Sequence, residues 1–154
     1  VTPIETRADV AYFGTFGYEL DLLKLSEEEK AEVRRQIAFM KEKRELIQKG
    51  IFYRLKSPFE GNVTAWMIVS EDQKKALVGY YRVMQPVNIG FVRLKLKGLK
   101  EDTCYKVSGY DYDCYGDELM QVGMILSDSA SGVWKKGVND KGDFQAKVFE
   151  IVAV

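Results

Sequence analysis

The sequence contains no histidine. That absence removes the Ser-His-Asp triad, the Cys-His pair, the histidine-rich metal site and the imidazole pH switch. Cysteine is nearly as scarce. Cys104 and Cys114 are the only two, too few to close a zinc site or to build a disulfide framework. They read as reduced thiols of a cytoplasmic protein. Net charge is missing as well, with 23 Lys+Arg against 23 Asp+Glu. A balanced chain carries no electrostatic footprint for nucleic acid or an anionic membrane, so neither is expected as a partner. No apolar run approaches the ~20 residues of a membrane span, and no signal peptide is recognisable. Carboxylate chemistry survives these exclusions, as does the absence of any chemistry. No metal and no cofactor is expected.

What is present is enough to fold. The chain has 154 residues, 46% hydrophobic and 12% aromatic, which suits one domain plus a fragment of another. It opens on Val1 rather than methionine, so it reads as processed or as cut from something longer. Asn62-Val63-Thr64 matches a glycosylation sequon, a triplet that also arises by chance.

Three parts follow one another. In the first, Val10 to Tyr18 is apolar and aromatic, the pattern of a buried strand running into a glycine-rich bend. Gly14-Thr15-Phe16-Gly17 lacks the spacing and lysine of a P-loop, so its glycines are read as points of close backbone approach. In the second, Ser26 with Glu29 three residues on forms a capping box, and residues 26–49 read as a helix. Glu27, Glu28 and Glu29 lie at its start and Lys41, Lys43, Arg44 and Lys49 toward its end, as the helix dipole favours. Gly50 is placed just past it. Val33, Ile37, Met40 and Ile47 share one face, and Phe39 and Leu46 form a second stripe. Two readings stand: a helix wedged between two partners, or one wide apolar face.

From Ile51 onward the pattern turns to short strands. Phe52–Leu55 is one, and Val63–Ser70 and Lys75–Val83 flank the polar link Glu71 to Lys74. Both faces of Val63–Val69 are apolar, so that strand is expected to be central. Phe91–Lys97 alternates, with Val92, Leu94 and Leu96 inward and Arg93, Lys95 and Lys97 outward. Thr103–Val107, a mixed stretch Glu118–Leu126 and a closing Phe144–Val154 complete the set. Short strands at regular spacing predict an antiparallel sandwich.

Candidate sites are thin. Asp111, Asp113 and Asp117 supply oxygens that a hard cation favours, but their spacing matches no EF-hand loop and reads better as a solvated turn. Trp66, Tyr80, Tyr81 and Trp134 raise the idea of a sugar-stacking platform. Trp66 lies mid-strand among apolar residues and reads as core. Trp134, between Gly132 and Gly137, is the candidate for an exposed stacking ring. Arg93, Lys95 and Lys97 read as a solvated strand face rather than a phosphate site. With 23 acidic residues, some carboxylates must be neighbours, so no catalytic pair can be named from sequence.

Longer motifs carry a resemblance. Glu5-Thr6-Arg7, the run Tyr12 to Leu22, Leu25-Ser26, Arg44 to Gln48, Phe52 to Leu55, Ser57 to Asn62, Ala65-Trp66-Met67, Gly79 to Arg82, Leu94 to Leu99 and Gly116 to Met120 are together similar to the C-terminal portion of family-36 glycoside hydrolases. These are the bacterial and fungal α-galactosidases. The likeness covers most of the chain and thins after about Leu126; Ser127 to Asp143 matches nothing in it. The resemblance implies a much longer parent, with an N-terminal β-domain, a central (β/α) barrel and a C-terminal antiparallel β-sandwich. It implies hydrolysis of terminal α-galactosides such as melibiose and raffinose with retention. An aspartate nucleophile and an aspartate acid/base would stand ~5–5.5 Å apart. Both belong to barrel motifs that no residue here matches, so no catalytic residue is carried over.

The expected architecture is therefore mainly β: an antiparallel Greek-key-like β-sandwich, residues 51–154, preceded by residues 1–50 as a terminal piece of the catalytic barrel. That piece comprises a remnant barrel strand and one long helix. The expected partners are the rest of the parent enzyme and, in a homo-oligomer, further copies. Left without a barrel, residues 10–18 are expected to fold back on the sandwich, pair with a second copy or be poorly ordered. Two other functions compete: a carbohydrate-binding β-sandwich module using Trp134 or a tyrosine, and a standalone interaction domain.

Overall fold

The capping box at Ser26 sets the start of the longest element. Ser26 Oγ accepts from the Glu29 amide at 3.2 Å, and Glu29 Oε2 accepts from the Ser26 amide at 2.9 Å. Two otherwise orphaned amides are thereby satisfied. The computed structural model describes residues 2–84, 92–126 and 143–154. Helix α1 spans Ile4–Ala11 and helix α2 Glu27–Lys49, with a single 3-10 turn at Leu22–Lys24 between them. Strands β1 (Ile51–Lys56), β2 (Val63–Val69), β3 (Lys75–Arg82), β4 (Arg93–Leu94), β5 (Cys104–Val107) and β6 (Asp113–Tyr115) follow. Helix α3 (Gly116–Gln121), β7 (Met124–Ile125) and β8 (Gln145–Ala153) end the chain.

The strands form an antiparallel sandwich. Six make one sheet in the order β1-β2-β3-β8-β5-β6, and β4 pairs with β7 in the other. The closing strand β8 inserts between β3 and β5, returning from a distant part of the sequence as in a Greek key. Side chains of β2 and β3 alternate between two covered faces. Ala65, Met67, Val69, Ala76, Val78 and Tyr80 enter the core between the sheets, with Leu94, Leu96, Tyr105, Met124 and Ile151. Trp66, Ile68, Leu77 and Tyr81 fall on the opposite face by the period of two, toward the helices. Burial on both faces explains why β2 reads as apolar throughout.

The first part differs from the sequence expectation. There is no barrel strand among the described residues of 10–18: α1 runs through Ala11, and the chain then continues without regular structure to Tyr18. A strand needs a neighbour for its backbone groups, and here each aromatic finds a different partner instead. Tyr12 packs on Phe39 with centroids 4.6 Å apart, Phe13 meets Trp66 edge-on at 6.0 Å, and Phe16 stacks on Tyr12 at 5.2 Å. Of the three fates expected for this segment, folding back is the one observed. Gly14 and Gly17 do not mark close backbone approach, since a Cβ at either would meet nothing within 4 Å.

Helix α2 resolves into two stripes. Val33 and Gln36 are buried, and Gln36 begins an inner stripe that Phe39, Lys43 and Leu46 continue. Lys43 makes an ion pair with Glu150 of β8, fixing the helix across the sheet. Ile37, Met40 and Ile47 lie on the other side, along a groove bounded by residues 13–18. Val33 falls on the same side of the helix as Ile37 and Met40, as the spacing implies. In the second half, β6 and α3 are elements that the polar stretch Tyr110 to Glu118 conceals. Their apolar anchors are few: Tyr110, Cys114 and Leu119.

Candidate functional site

Two carboxylates four residues apart share a helix face. On α1 these are Glu5 and Asp9, and that face meets the start of α2, where Glu32 stands. With Arg35, Gln36, Tyr12, Phe39, Lys147 and neighbouring backbone they line a cavity of about 730 Å3. The cavity lies where α1, α2 and β8 converge. It brings three carboxylates, Glu5, Asp9 and Glu32, to one cavity, and sequence reasoning missed it. The i, i+4 spacing of Glu5 and Asp9 was the available signal, but it has meaning only once residues 4–11 are known to be helical.

Polar groups around the cavity are tightly organised. Gln36, only 3% exposed, donates from Nε2 to Glu32 Oε1 at 2.8 Å and accepts the Tyr18 hydroxyl on its own Oε1. Glu32 also pairs with Arg35. Burial raises the Asp9 carboxyl to about 6, helped by the negative charges of Glu32 and Glu5. The same burial, with Asp9 next in importance, pushes the Tyr12 hydroxyl well above its ordinary value. A carboxyl poised near neutrality beside other carboxylates is the electrostatic signature of an acid/base group, though structural networks produce it too. Here Glu32 is committed to Arg35 and Gln36, while Glu5 stands beside Asp9 on the same face of α1 rather than across the cavity from it. Among the described residues no group of acidic or cysteine side chains is arranged to hold a metal ion.

The residues singled out from sequence are dispersed. Trp134 lies outside the described residues. Trp66, Tyr80 and Tyr81 do not form a platform: Tyr80 enters the core between the sheets, while Trp66 packs among Phe13, Phe52 and Tyr81. Asp111, Asp113 and Asp117 are all exposed, and Asp117 Oδ1 accepts the Glu118 amide at 2.7 Å, a helix-start contact. Arg93, Lys95 and Lys97 are exposed between buried Leu94 and Leu96, as their alternation implies. Cys104 and Cys114 form no disulfide. They sit one position out of register on paired strands, so they point to opposite faces. Among the described residues, no helix is long and apolar enough to cross a membrane.

Comparison with known proteins bears on what this arrangement serves. The glycosyl hydrolase family 36 C-terminal domain model matches residues 63–151, and the melibiase model matches residues 1–50. α-Galactosidase AgaA of Geobacillus stearothermophilus is 48% identical over 139 residues, covering 88% of this chain and 19% of its own length. α-Galactosidase Mel36A of Lactobacillus acidophilus is 37% identical over 154 residues, again 19% of its length. The crystal structure of the AgaA enzyme superposes on the whole chain with a TM-score of 0.89 at 43% identity, using 20% of that protein. The chain thus spans about a fifth of the relatives it matches. With a C-terminal domain model over more than half of its residues, and relatives alike in sequence and in fold, this chain belongs to glycosyl hydrolase family 36.

Proposed function

We propose that the chain is the C-terminal region of an α-galactosidase and that its part there is structural rather than catalytic. Residues 1–50 would be the terminal piece of the catalytic barrel and residues 51–154 the C-terminal β-sandwich. The parent would remove terminal α-galactosyl groups from sugars such as melibiose and raffinose, with retention, in the cytoplasm.

The observation that carries this reading is the pairing of the two family matches with length. A melibiase match ends at residue 50, a C-terminal domain match begins at residue 63, and the relatives are five times longer. Chemistry supports the structural role. A retaining glycosidase needs two carboxyl groups flanking the scissile bond, one free to act as nucleophile. In the acid-lined cavity Glu32 is already engaged by Arg35 and Gln36. Two unbridged thiols agree with a reducing compartment.

The test is an assay of this chain alone on an aryl α-galactoside. No turnover is expected. Hydrolysis that stops with a galactose-configured inhibitor and disappears in Asp9→Asn would overturn the structural reading and make Asp9 the acid/base group.

A further inference from the structure

Helix α1 is too short to stand alone. Its eight residues fall below the ~12–15 at which an isolated helix is even marginal in water. No side chain caps its start and no basic residue lies in its last turn, so two local sources of helix stability are missing. Docking must hold it. Ala8 and Tyr12 are its buried apolar anchors. The Tyr81 hydroxyl donates to the Asp9 carbonyl, and the Thr6 hydroxyl to that of Phe144.

The docked face also collects like charge. Asp9 lies near the C-terminal end of α1, where the helix dipole disfavours an anion. Glu5 stands one turn before it on the same face, and Glu32 lines the cavity from α2. The nearby cations are turned elsewhere. Arg35 is engaged by Glu32. Arg7, two residues back on α1, belongs to another helix face. Lys147 of β8 sits opposite Tyr80 in the register, so its side chain takes the core face of the sheet, as Arg82 of β3 does. Glu150 of β8 is paired with Lys43. Burial holds the Tyr12, Tyr18 and Tyr81 hydroxyls above their ordinary values, so these three stay neutral.

We propose that α1 is a latch whose grip on the sheet is set by the charge of Asp9. With the carboxyl protonated, α1 lies docked as a helix on α2, β3 and β8. With the carboxyl ionised, the latch opens more often; the open segment loses its helix and returns Asp9 to water. The sandwich stays folded, because the core between its sheets contains no residue of α1. Opening also draws Phe13 away from Trp66 and so uncovers the aromatic face of β2 and β3. Burial, then Glu32, then Glu5 raise the docked carboxyl to about 6, against ~3.9 for a solvated one. The docked state therefore holds the proton more tightly. Its grip is full below about pH 4 and weakens as pH rises through 6.

Hydrogen exchange of this chain at pH 4.5 and pH 7.5 tests the latch, with rates expressed as protection factors so that the intrinsic effect of pH divides out. Protection of the amides of residues 8–12 is expected to fall by at least about tenfold at the higher pH. The amides of β2 and β3 should keep theirs. In Asp9→Asn the fall should vanish. In Glu5→Lys, which puts a cation one turn from Asp9, it should shrink. Equal protection of residues 8–12 at both pH values overturns the proposal. So does a fall that β2 and β3 share, which would make the transition global, or one that persists undiminished in both variants.

Discussion

The hydroxyl of Tyr81, in the middle of the sheet, donates to the main-chain carbonyl of Asp9 at 2.6 Å. One bond therefore ties the end of α1 to β3 across 72 residues of sequence. Burial raises the Tyr81 hydroxyl's pKa far above its ordinary value, so the donor proton stays in place across the accessible pH range. Beneath it, a side chain at Gly79 would collide with Phe13 and with Tyr81 itself. Glycine at this point lets the first segment lie down on the strand.

Removing that hydroxyl should loosen α1 without unfolding the sandwich. Tyr81→Phe is expected to cost about 1 kcal/mol, the net value of a hydrogen bond whose acceptor stays partly in water. Urea unfolding followed by tryptophan fluorescence measures it, because Trp66 packs against both Tyr81 and Phe13. Limited proteolysis should cut near residues 12–18 sooner in the variant. An unchanged midpoint and unchanged cleavage would mean that aromatic packing alone holds the segment.

The carboxyl of Asp9 gives the stability a pH dependence of definite sign. Its folded pKa, about 6, lies above the ~3.9 of an unfolded chain. The folded state therefore holds the proton more tightly. This contribution is fully present below about pH 4 and is lost as pH rises through 6. Glu5, Glu32, Arg35 and Lys147 line the same cavity and set the local field. Asp9→Asn cannot ionise, so it should match the native protein at pH 4 and exceed it by about 1–3 kcal/mol above pH 7. Denaturant melts at pH 4, 5.5 and 7.5 check this. A variant less stable than the native protein at pH 7.5 would contradict it.

Helix α2 was legible to the residue because its signals are local. Ser26, Glu29 and Gly50 mark its ends whatever it packs against. Strands β2 and β3 were legible because burial on both faces leaves little room for polar residues. The misread stretches are those whose structure depends on distant partners. Tyr12, Phe13 and Phe16 look like one strand in sequence, yet Tyr12 and Phe13 turn to Phe39 and Trp66, on different elements. The polar run 110–118 hides β6 and α3 because Tyr110, Cys114 and Leu119 supply nearly all of their burial. The acid-lined cavity was invisible for the same reason: Glu5, Asp9 and Glu32 become neighbours only through the packing of α1 on α2.

The capping box is a separable contribution. Ser26→Ala deletes the acceptor for the Glu29 amide and frees the Glu29 side chain. It should cost about 0.5–2 kcal/mol. Ser26→Asp keeps an acceptor and adds charge at the helix start, so it should retain most of the stability. Thermal melts of the two variants separate loss of the cap from a general effect of substitution at this site.

Glycines make the sharpest contrast between what sequence suggests and what geometry requires. Gly50 follows α2, yet its φ of −72° is one that any residue adopts. Its value is space. A Cβ there would lie 2.6 Å from the Leu46 carbonyl oxygen and 2.8 Å from that of Val69, and would also strike the Ile68 side chain. Two of these obstacles are backbone and cannot rotate away, so Gly50→Ala must lever the end of α2 off β2. A loss of about 2 kcal/mol or more is expected, in the range of overpacked core substitutions. Gly14 has open space around its Cβ position, and Gly14→Ala restricts the unfolded chain. It should be neutral or stabilise by up to about 1 kcal/mol. Equal effects at the two positions would mean that α2 does not press on the sheet at Gly50 as described.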